Sequence, residues 1–168
     1  IPFFALVMMA TYSGGVIDGL DGLAGGVFAS IFAAFGGIAL AQNQIDLAAF
    51  CAVIAGSLLA FLWFNIPPAR FYMGETGMLA LTVTIATLAF LTDTVLVLPI
   101  IAFPLVATSA SVIIQMSSKR LRGKRVFLVA PLHHHFEALG WPSHKVTMRY
   151  WIISVIFAII GVVIALAG

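Results

Sequence analysis

The chain has 168 residues, of which 62% are hydrophobic and only 8% are charged, and its formal net charge at neutral pH is +2. A soluble domain normally carries about a quarter charged residues. These residues therefore cannot build a water-facing surface, and a soluble globular protein is excluded. The single cysteine, Cys51, also excludes an internal disulfide. The composition predicts an integral membrane protein.

Apolar runs long enough to cross a bilayer follow one another along the chain. A spanning helix needs about 20 mostly apolar residues, and the runs lack the alternation of membrane-barrel strands. The predicted spans are Leu23 to Ala41, Leu47 to Phe64, Gly77 to Thr92, Val95 to Met116 and Tyr150 to Ala167. Ile1 to Tyr12 is too short and is interpreted as the tail of a helix whose beginning is missing. The predicted fold is all-α, one integral-membrane domain over residues 1–168 with five complete transmembrane helices plus the tail of a sixth.

Three connections are rich in polar residues and two are short. The first, second and third loops are Ser13 to Gly22, Asn65 to Thr76 and Ser117 to Arg149, whereas Gln42 to Asp46 and the break around Asp93 are short. All eight cations lie in the second and third loops: Arg70, Lys119, Arg120, Arg122, Lys124, Arg125, Lys145 and Arg149. Because successive helices alternate in direction, the three loops share one side. The excess of cations predicts that this side is cytoplasmic and that the carboxy terminus lies across the membrane.

The first loop contains two carboxylates, Asp18 and Asp21, among several glycines. Carboxylates three residues apart share one face if the segment is helical, and glycine lets a backbone approach a ligand closely. Carboxylates at the mouth of a membrane helix are costly unless they are paired, solvated or bound to a metal. The alternative is that both residues cap the helix beginning near Leu23.

The second loop places an aromatic pair, Phe71 and Tyr72, shortly before Glu75. Glu75 is suited to a hard cation such as Mg²⁺, which favours carboxylate oxygen, and Tyr72 or Phe71 is suited to stacking on a planar base. Alternatively, Tyr72 belongs to the aromatic belt of the membrane interface, and Glu75 stabilises the first turn of a helix.

The third loop combines a cationic run with three successive histidines, His133, His134 and His135. The cations are typical of a cytoplasmic face in contact with anionic lipid head groups. Adjacent side chains diverge by about 100° on a helix, so the triplet is a poor tetrahedral zinc site. Imidazoles that bind phosphate oxygens are a better interpretation, with one or two pointing inward and at least one structural. Together the three loops suit a diphosphate-bearing, water-soluble substrate that meets a lipid.

At these motifs the chain resembles the phospho-N-acetylmuramoyl-pentapeptide-transferase family. The matching segments, in the right order along essentially the whole chain, are Asp18 to Ala24, Asn65 to Gly77, Ala130 to Glu137, Gly140 to Pro142 and Arg149 to Trp151. The histidine triplet is the most specific of these features. Relatives that transfer N-acetylhexosamine phosphates have a different histidine loop.

The resemblance implies a ten-helix protein of the bacterial inner membrane, of which this chain is the end of helix five through helix ten. It implies attack of undecaprenyl phosphate on the diphosphate of UDP-N-acetylmuramoyl-pentapeptide, with release of UMP. Mg²⁺ would neutralise the developing charge. Membrane lipids and a second copy of the chain are further expected partners, and nucleic acid is not.

The resemblance also assigns roles to individual residues. Glu75 is expected to ligate Mg²⁺ and, with Asp18 and Asp21 around the nucleotide, to be catalytic. His133 and His134 match the catalytic histidines. The expected substrate-binding residues are Asn65, Tyr72, Gln115, Ala130 and His135, with Tyr72 stacking on uracil.

The chain departs from the family pattern at two positions and omits one motif. The family usually has Asp where this chain has Glu75, and Asn where it has Gly15. A longer side chain shifts the carboxylate, and Mg²⁺ tolerates misplacement poorly. The family's adjacent pair of aspartates, which belongs to an earlier loop, does not occur in these residues. We therefore expect residues 1–168 alone not to turn over.

Three other functions fit parts of the sequence. A related transferase would use UDP-N-acetylglucosamine and a polyprenyl phosphate, which the histidine loop argues against. A transporter or channel would place ionisable groups near the middle of the bilayer, and Asp93 is the residue that best suits it. A non-catalytic membrane paralogue is favoured by Glu75 and by the missing aspartate pair.

Overall fold

The computed structural model of the chain describes residue 8 and residues 12–167. Helical residues 12–17 lead into turns at 18–22. The helices that follow are α1 (Leu23–Ala41), α2 (Ile45–Asn65), α3 (Gly74–Leu91), α4 (Leu98–Ile101), α5 (Phe103–Arg122), α6 (Leu132–Ala138) and α7 (Ser143–Ala167). The described part of the chain contains no strand. The predicted all-α class is confirmed.

Four helices, α1, α2, α3 and α7, are long and apolar enough to cross a membrane. The bounds of α1 are those that the sequence predicts, and α2 and α3 begin a few residues earlier than predicted. Helix α7 begins at Ser143 rather than at Tyr150. Hydropathy marks only its apolar part, whereas Lys145 and Arg149 are accommodated in its first two turns.

The prediction of one continuous helix from Val95 to Met116 is wrong. The chain forms α4, bends at Ala102 and then forms α5, which has Pro104 in its first turn and runs on to Arg122. Proline lacks an amide N–H and clashes with the preceding turn, so it starts a helix more readily than it continues one. The predicted count of five spans plus a tail stays a prediction, and the tail over Ile1 to Tyr12 lies, except for residues 8 and 12, outside the described residues.

Helix α1 lies at the centre of the bundle and packs mainly against α2 and α7. Its side chains Phe28, Phe32 and Phe35 are fully buried. Glycines on α1 allow both neighbours to come close, because Gly25 faces Leu62 of α2 and Gly26 faces Trp151 of α7. Small residues at such contacts are typical of helices packed in a bilayer.

The connections between helices gather at two opposite ends of the bundle. At one end Gln42 donates a hydrogen bond to the Thr92 carbonyl over 2.9 Å, and Gln44 donates one to the Leu91 carbonyl over 3.3 Å, so the two short connections meet. At the other end the three polar loops contact one another. This grouping is the one that alternating helix directions predict.

Replacing Gly26 by alanine is expected to destabilise the bundle by about 1–3 kcal/mol, the usual cost of overpacking a well-packed contact. The new methyl group would overlap the Trp151 indole, which donates a hydrogen bond over 3.0 Å to the Gly22 carbonyl. Gly37, on the same helix, has no atom within 4 Å of an added methyl group, so Gly37→Ala is the matched control. Thermal unfolding in detergent measures both, and equal midpoints for the two variants would contradict the packing described.

Candidate active site

The side chain of Asn65 joins the first and second loops. Asn65 is the last residue of α2 and is 6% exposed. Its Oδ1 accepts a hydrogen bond from the backbone N–H of Gly22 over 3.0 Å, and its Nδ2 donates one to the Phe71 carbonyl over 2.9 Å. Buried polar groups are normally paired in this way. The resemblance assigns Asn65 to substrate binding; its amide is hydrogen-bonded within the protein, and the predicted role stays a prediction.

The two carboxylates of the first loop do different things. Residues 18–22 form turns rather than a helix, so Asp18 and Asp21 do not share a helical face. Asp21 Oδ2 accepts a hydrogen bond from the Ala69 N–H of the second loop over 3.1 Å. Helix α1 has Gly22 at its N-cap with no side-chain cap, so the alternative in which both aspartates cap this helix is wrong.

Asp18 and Glu75 line the same cleft, which has a volume of about 320 Å³. The walls of the cleft are Gly15, Asp18, Gly74, Glu75, Met78 and Leu79. Burial raises the pKa of the Asp18 carboxyl above its ordinary value, because desolvation disfavours the charged form. A cation bound in the cleft would instead lower the pKa of Asp18, because it would favour the charged carboxylate. Two residues 57 positions apart in the sequence are thus brought to one site.

His133 lies behind the first loop, buried among other side chains. It is 0% exposed, its ring stands 4.3 Å from that of His134 between centroids, and its Nε2 faces Gly19, where a Cβ would overlap it. Neither ring nitrogen has a hydrogen-bond partner among the described residues. Burial, with a smaller contribution from neighbouring His134, lowers the pKa of His133 to about 4. His133 is therefore neutral near pH 7.

His134 is the more accessible of the two predicted catalytic histidines. Its side chain is 37% exposed, and its Nδ1 lies 2.6 Å from Glu137 Oε2. The other carboxylate oxygen of Glu137 accepts a hydrogen bond from Ser143 Oγ over 2.9 Å. The Nε2 of His134 faces Gly19, the residue after Asp18. The third loop therefore meets the first loop beside the carboxylate cleft.

His135 and Gln115 shape the third loop from within. Gln115 Oε1 accepts hydrogen bonds from the N–H groups of Val126 and Phe127, each over 3.0 Å, and its Nε2 donates to the Phe127 carbonyl over 2.9 Å. His135 Nδ1 accepts a hydrogen bond from the Leu128 N–H over 3.2 Å. Both residues have intramolecular partners, and their predicted contacts with substrate stay predictions.

The remaining predicted binding residues are an aromatic side chain and a backbone position. Tyr72 is 70% exposed, whereas its neighbour Phe71 packs against Phe61 and Phe64. Tyr72 is thus the more exposed member of the pair, and its predicted stacking on a base stays a prediction. Ala130 is half-buried and precedes Pro131 through a cis peptide bond.

One aromatic cluster at this end of the bundle was not predicted from the sequence. The Trp141 ring stacks on Phe136, with centroids 5.0 Å apart, and carries the Arg149 guanidinium 4.1 Å and the Lys145 ammonium 5.0 Å from its centroid. Cations over tryptophan faces are favourable contacts. The signal available in the sequence is the spacing of a tryptophan followed by cations four and eight residues later.

The carboxylates of the cleft fit a magnesium ion. The described residues contain no group of three or more His, Cys, Asp or Glu that could hold a metal by themselves. Mg²⁺ does not need such a group, since it is usually bound by one or two carboxylates together with water and substrate phosphates. Asp18 and Glu75 supply two carboxylates in one cleft, which is the donor set such an ion takes.

Comparison with known proteins connects the chain to a family. The model of glycosyl transferase family 4 matches residues 1–93. The chain is 47% identical over 161 residues to a phospho-N-acetylmuramoyl-pentapeptide-transferase of Heliobacterium modesticaldum, covering 96% of this chain and 50% of that protein. It is 44% identical over 158 residues to the transferase of the same name from Moorella thermoacetica, covering 94% and 50%. The chain thus spans about half the length of the curated relatives it matches.

Replacing Gly19 by alanine is expected to displace the histidine helix α6, because the added methyl group would overlap His133 Nε2 and crowd His134 Nε2. A loss of about 1–3 kcal/mol in unfolding free energy is the usual consequence. Gly15→Ala in the same loop is the matched control, since nothing lies within 4 Å of its added methyl group. Thermal unfolding in detergent compares them, and a Gly19→Ala protein as stable as Gly15→Ala would refute this packing.

Stability is expected to fall as the pH drops from about 6.5 to about 4, the interval between the unfolded and folded pKa of His133. In that interval the unfolded imidazole binds a proton that the buried ring does not, so protonation favours the unfolded state. His133→Gln should flatten this part of the profile of unfolding midpoint against pH. His144→Gln, which alters an exposed histidine, should leave the profile as it is. A His133→Gln profile as steep as that of the unaltered protein would contradict the assignment.

Proposed function

The chain belongs to glycosyl transferase family 4, and we propose that it forms part of a multi-pass membrane enzyme that transfers phospho-N-acetylmuramoyl-pentapeptide from UDP to undecaprenyl phosphate. The products would be UMP and the lipid-linked sugar. The observation that carries the proposal is the cleft lined by Asp18 and Glu75 beside His134. Its two carboxylates could hold a divalent cation, which a diphosphate substrate needs as a counter-charge, and it lies at the end of the bundle where the polar loops gather.

The names of the relatives support the choice of substrate. Proteins 43–47% identical to the chain are named phospho-N-acetylmuramoyl-pentapeptide-transferases. Two residues of the histidine triplet, which the resemblance makes most specific for this branch, face Gly19, the residue after Asp18. The related reaction with UDP-N-acetylglucosamine is the runner-up, and a change of nucleotide substrate in a UMP-release assay distinguishes the two.

In the proposed mechanism Glu75 and Asp18 would hold Mg²⁺ together with the phosphates of the nucleotide. The ion, when bound, supplies positive charge that neutralises the developing negative charge of the leaving group. His134, whose Nε2 faces Gly19 next to Asp18, would hydrogen-bond the substrate through that nitrogen. Exposed Tyr72 would stack on the uracil ring. Catalysis of phosphoryl transfer is largely a matter of such positioning and electrostatic stabilisation.

Asn65, Asp21 and Gln115 would act on the reaction through the shape of the loops. Asn65 and Asp21 tie the second loop to the first, and Gln115 closes the turn that leads to the histidines. Each bond fixes a backbone segment next to a residue that would meet the substrate. A misplacement of about 1 Å at such a site can cost about 100-fold in rate.

We propose that the cleft faces the cytoplasm, from the inner membrane of a bacterium. All eight cations lie in the second and third loops, which are at the cleft end of the bundle, and this asymmetry is that of cytoplasmic loops. The carboxy terminus of α7 would then lie on the other side. A second copy of the chain stays a predicted partner.

The placement of charge argues against a transporter or channel. In the described helices the charged residues stand at or near helix ends: Asp46 and Glu75 open α2 and α3, the cations of α5 close it, and those of α7 lie in its first two turns. Helix α1 carries no charged residue. Ion pathways instead place ionisable groups within the membrane. Asp93 lies in a turn at the opposite end from the cleft.

Glu75→Gln is expected to lower UMP release by about 100-fold or more, the scale of loss when one preorganised electrostatic contact is removed. The assay uses a protein of the relatives' full length that carries this chain, with undecaprenyl phosphate and saturating Mg²⁺. Glu75→Asp should stay within about tenfold of the unaltered protein, since it keeps the ligand type that Mg²⁺ prefers.

Asp46→Asn is the matched control, because it also removes one carboxylate but at the opposite end of the bundle. It is expected to leave UMP release unchanged. Full activity of Glu75→Gln would remove the residue from the mechanism. Faster turnover of UDP-N-acetylglucosamine than of UDP-N-acetylmuramoyl-pentapeptide would favour the runner-up function.

A further inference from the structure

Glu137 connects His134 to the start of α7. One carboxylate oxygen lies 2.6 Å from His134 Nδ1, and the other accepts a hydrogen bond from Ser143 Oγ over 2.9 Å. Burial by itself raises the pKa of the Glu137 carboxyl, but the hydrogen bonds from His134 and Ser143 outweigh it and lower the pKa below its ordinary value. Glu137 is therefore ionised near pH 7, and both of its oxygens act as acceptors.

The carboxylate determines which nitrogen of His134 carries a proton. An ionised carboxylate has no hydrogen to donate, so the short contact requires an N–H at Nδ1. In a neutral imidazole only one nitrogen is protonated, and the hydrogen bond made by one nitrogen fixes the state of the other. The Nε2 of His134, which faces Gly19 beside Asp18, is then left with its lone pair.

The neighbouring histidines are held differently. His135 Nδ1 accepts a hydrogen bond from the Leu128 N–H, which requires the opposite arrangement, with the proton on Nε2. His133 is fully buried and neither ring nitrogen has a partner among the described residues. Of the three, His134 alone combines a partly exposed ring with a carboxylate at its Nδ1.

We propose that Glu137, anchored by Ser143, is a positioning residue that keeps His134 protonated at Nδ1 and directs its Nε2 toward the substrate. The inference rests on the proposed function, in which His134 meets the phosphate-bearing substrate. When the ring is neutral, Nε2 accepts a hydrogen bond from an O–H group, and when the ring is protonated it donates one to a phosphate oxygen. In both states Nε2 is the atom that faces Gly19, the residue after Asp18.

Glu137 would act on His134 as the carboxylate of a serine-protease triad acts on its histidine. That carboxylate orients the imidazole and fixes its tautomer without taking its proton. Ser143 adds a second constraint. Because its hydroxyl occupies the other carboxylate oxygen, the carboxylate cannot rotate freely about its own axis while it holds His134. The Ser143–Glu137–His134 chain thus links the orientation of the ring to the first residue of α7.

The first test reads the tautomer directly by ¹⁵N NMR of histidine-labelled chain in lipid nanodiscs, at about pH 9, where a model imidazole with a pKa of about 6.5 is neutral. We expect His134 protonated at Nδ1 and His135 protonated at Nε2 in the unaltered chain. Glu137→Gln keeps an acceptor oxygen and should preserve the His134 pattern, whereas Glu137→Ala should move the proton toward Nε2. A His134 tautomer that is the same in the unaltered chain and in Glu137→Ala would overturn the proposal.

The second test measures UMP release by the full-length protein that carries this chain. Glu137→Ala should lower kcat about 10- to 100-fold, the scale of loss when a partner that orients a functional histidine is removed, with the KM for the nucleotide within about threefold. Glu137→Gln should retain kcat within about threefold, and Ser143→Ala should fall between the two. His144→Ala, at the exposed position next to Ser143, is the matched control and should be unchanged.

The two tests separate this inference from the proposed function. Absence of UMP release from the unaltered protein, with the tautomer responding to Glu137 as expected, would refute the function and support the positioning. Equal kcat values for Glu137→Ala and Glu137→Gln in an active enzyme would refute the positioning and leave the function standing. Glu137→Ala acting on KM alone would also overturn it, since a lost orientation of the ring is expected in kcat.

Discussion

The site depends on a single buried amide. The side-chain oxygen of Asn65 accepts a hydrogen bond from Gly22, the N-cap of α1, and its nitrogen donates one to the Phe71 carbonyl of the second loop. One side chain at the end of α2 therefore holds together the two segments that carry Asp18 and Glu75. An apolar residue there would leave Gly22 N–H and the Phe71 carbonyl without these partners in a buried place, at a cost of about 1–3 kcal/mol for each group. The hydrogen bond from the Ala69 N–H to Asp21 is a second direct link between the same two loops.

Much of the fold could be predicted from hydropathy alone. The bounds of α1 agree with the sequence prediction, and the four spans follow from runs that are continuously apolar. The error over Val95 to Met116 has a local cause. Pro104 lacks a backbone N–H and favours a break between α4 and α5, and a hydropathy average does not detect this. The short helix α6 was not predicted either, since seven residues with three histidines have no apolar period to detect.

The convergence of the loops could be predicted from topology, but the different contacts made by similar residues within them could not. Asp18 and Asp21 look equivalent in the sequence, yet one lines the cleft and the other accepts a hydrogen bond from Ala69. His133, His134 and His135 also look alike, yet they are respectively buried, paired with Glu137 and hydrogen-bonded to Leu128. These differences arise from contacts between residues far apart in the chain, for which the local pattern carries no signal.

The gathering of charge at one end of the bundle makes the molecule electrically polar along the membrane normal. The cleft end carries eight cations and four carboxylates, which leaves four positive charges, whereas Asp46 and Asp93 give the other end two negative charges. Across a membrane at about 100 mV, negative inside, reversing the molecule would displace about six charges, at roughly 14 kcal/mol in total from about 2.3 kcal/mol each. The resting voltage of a cell would thus favour, for these residues, the orientation that the proposed cytoplasmic cleft requires, with the cleft end on the negative side.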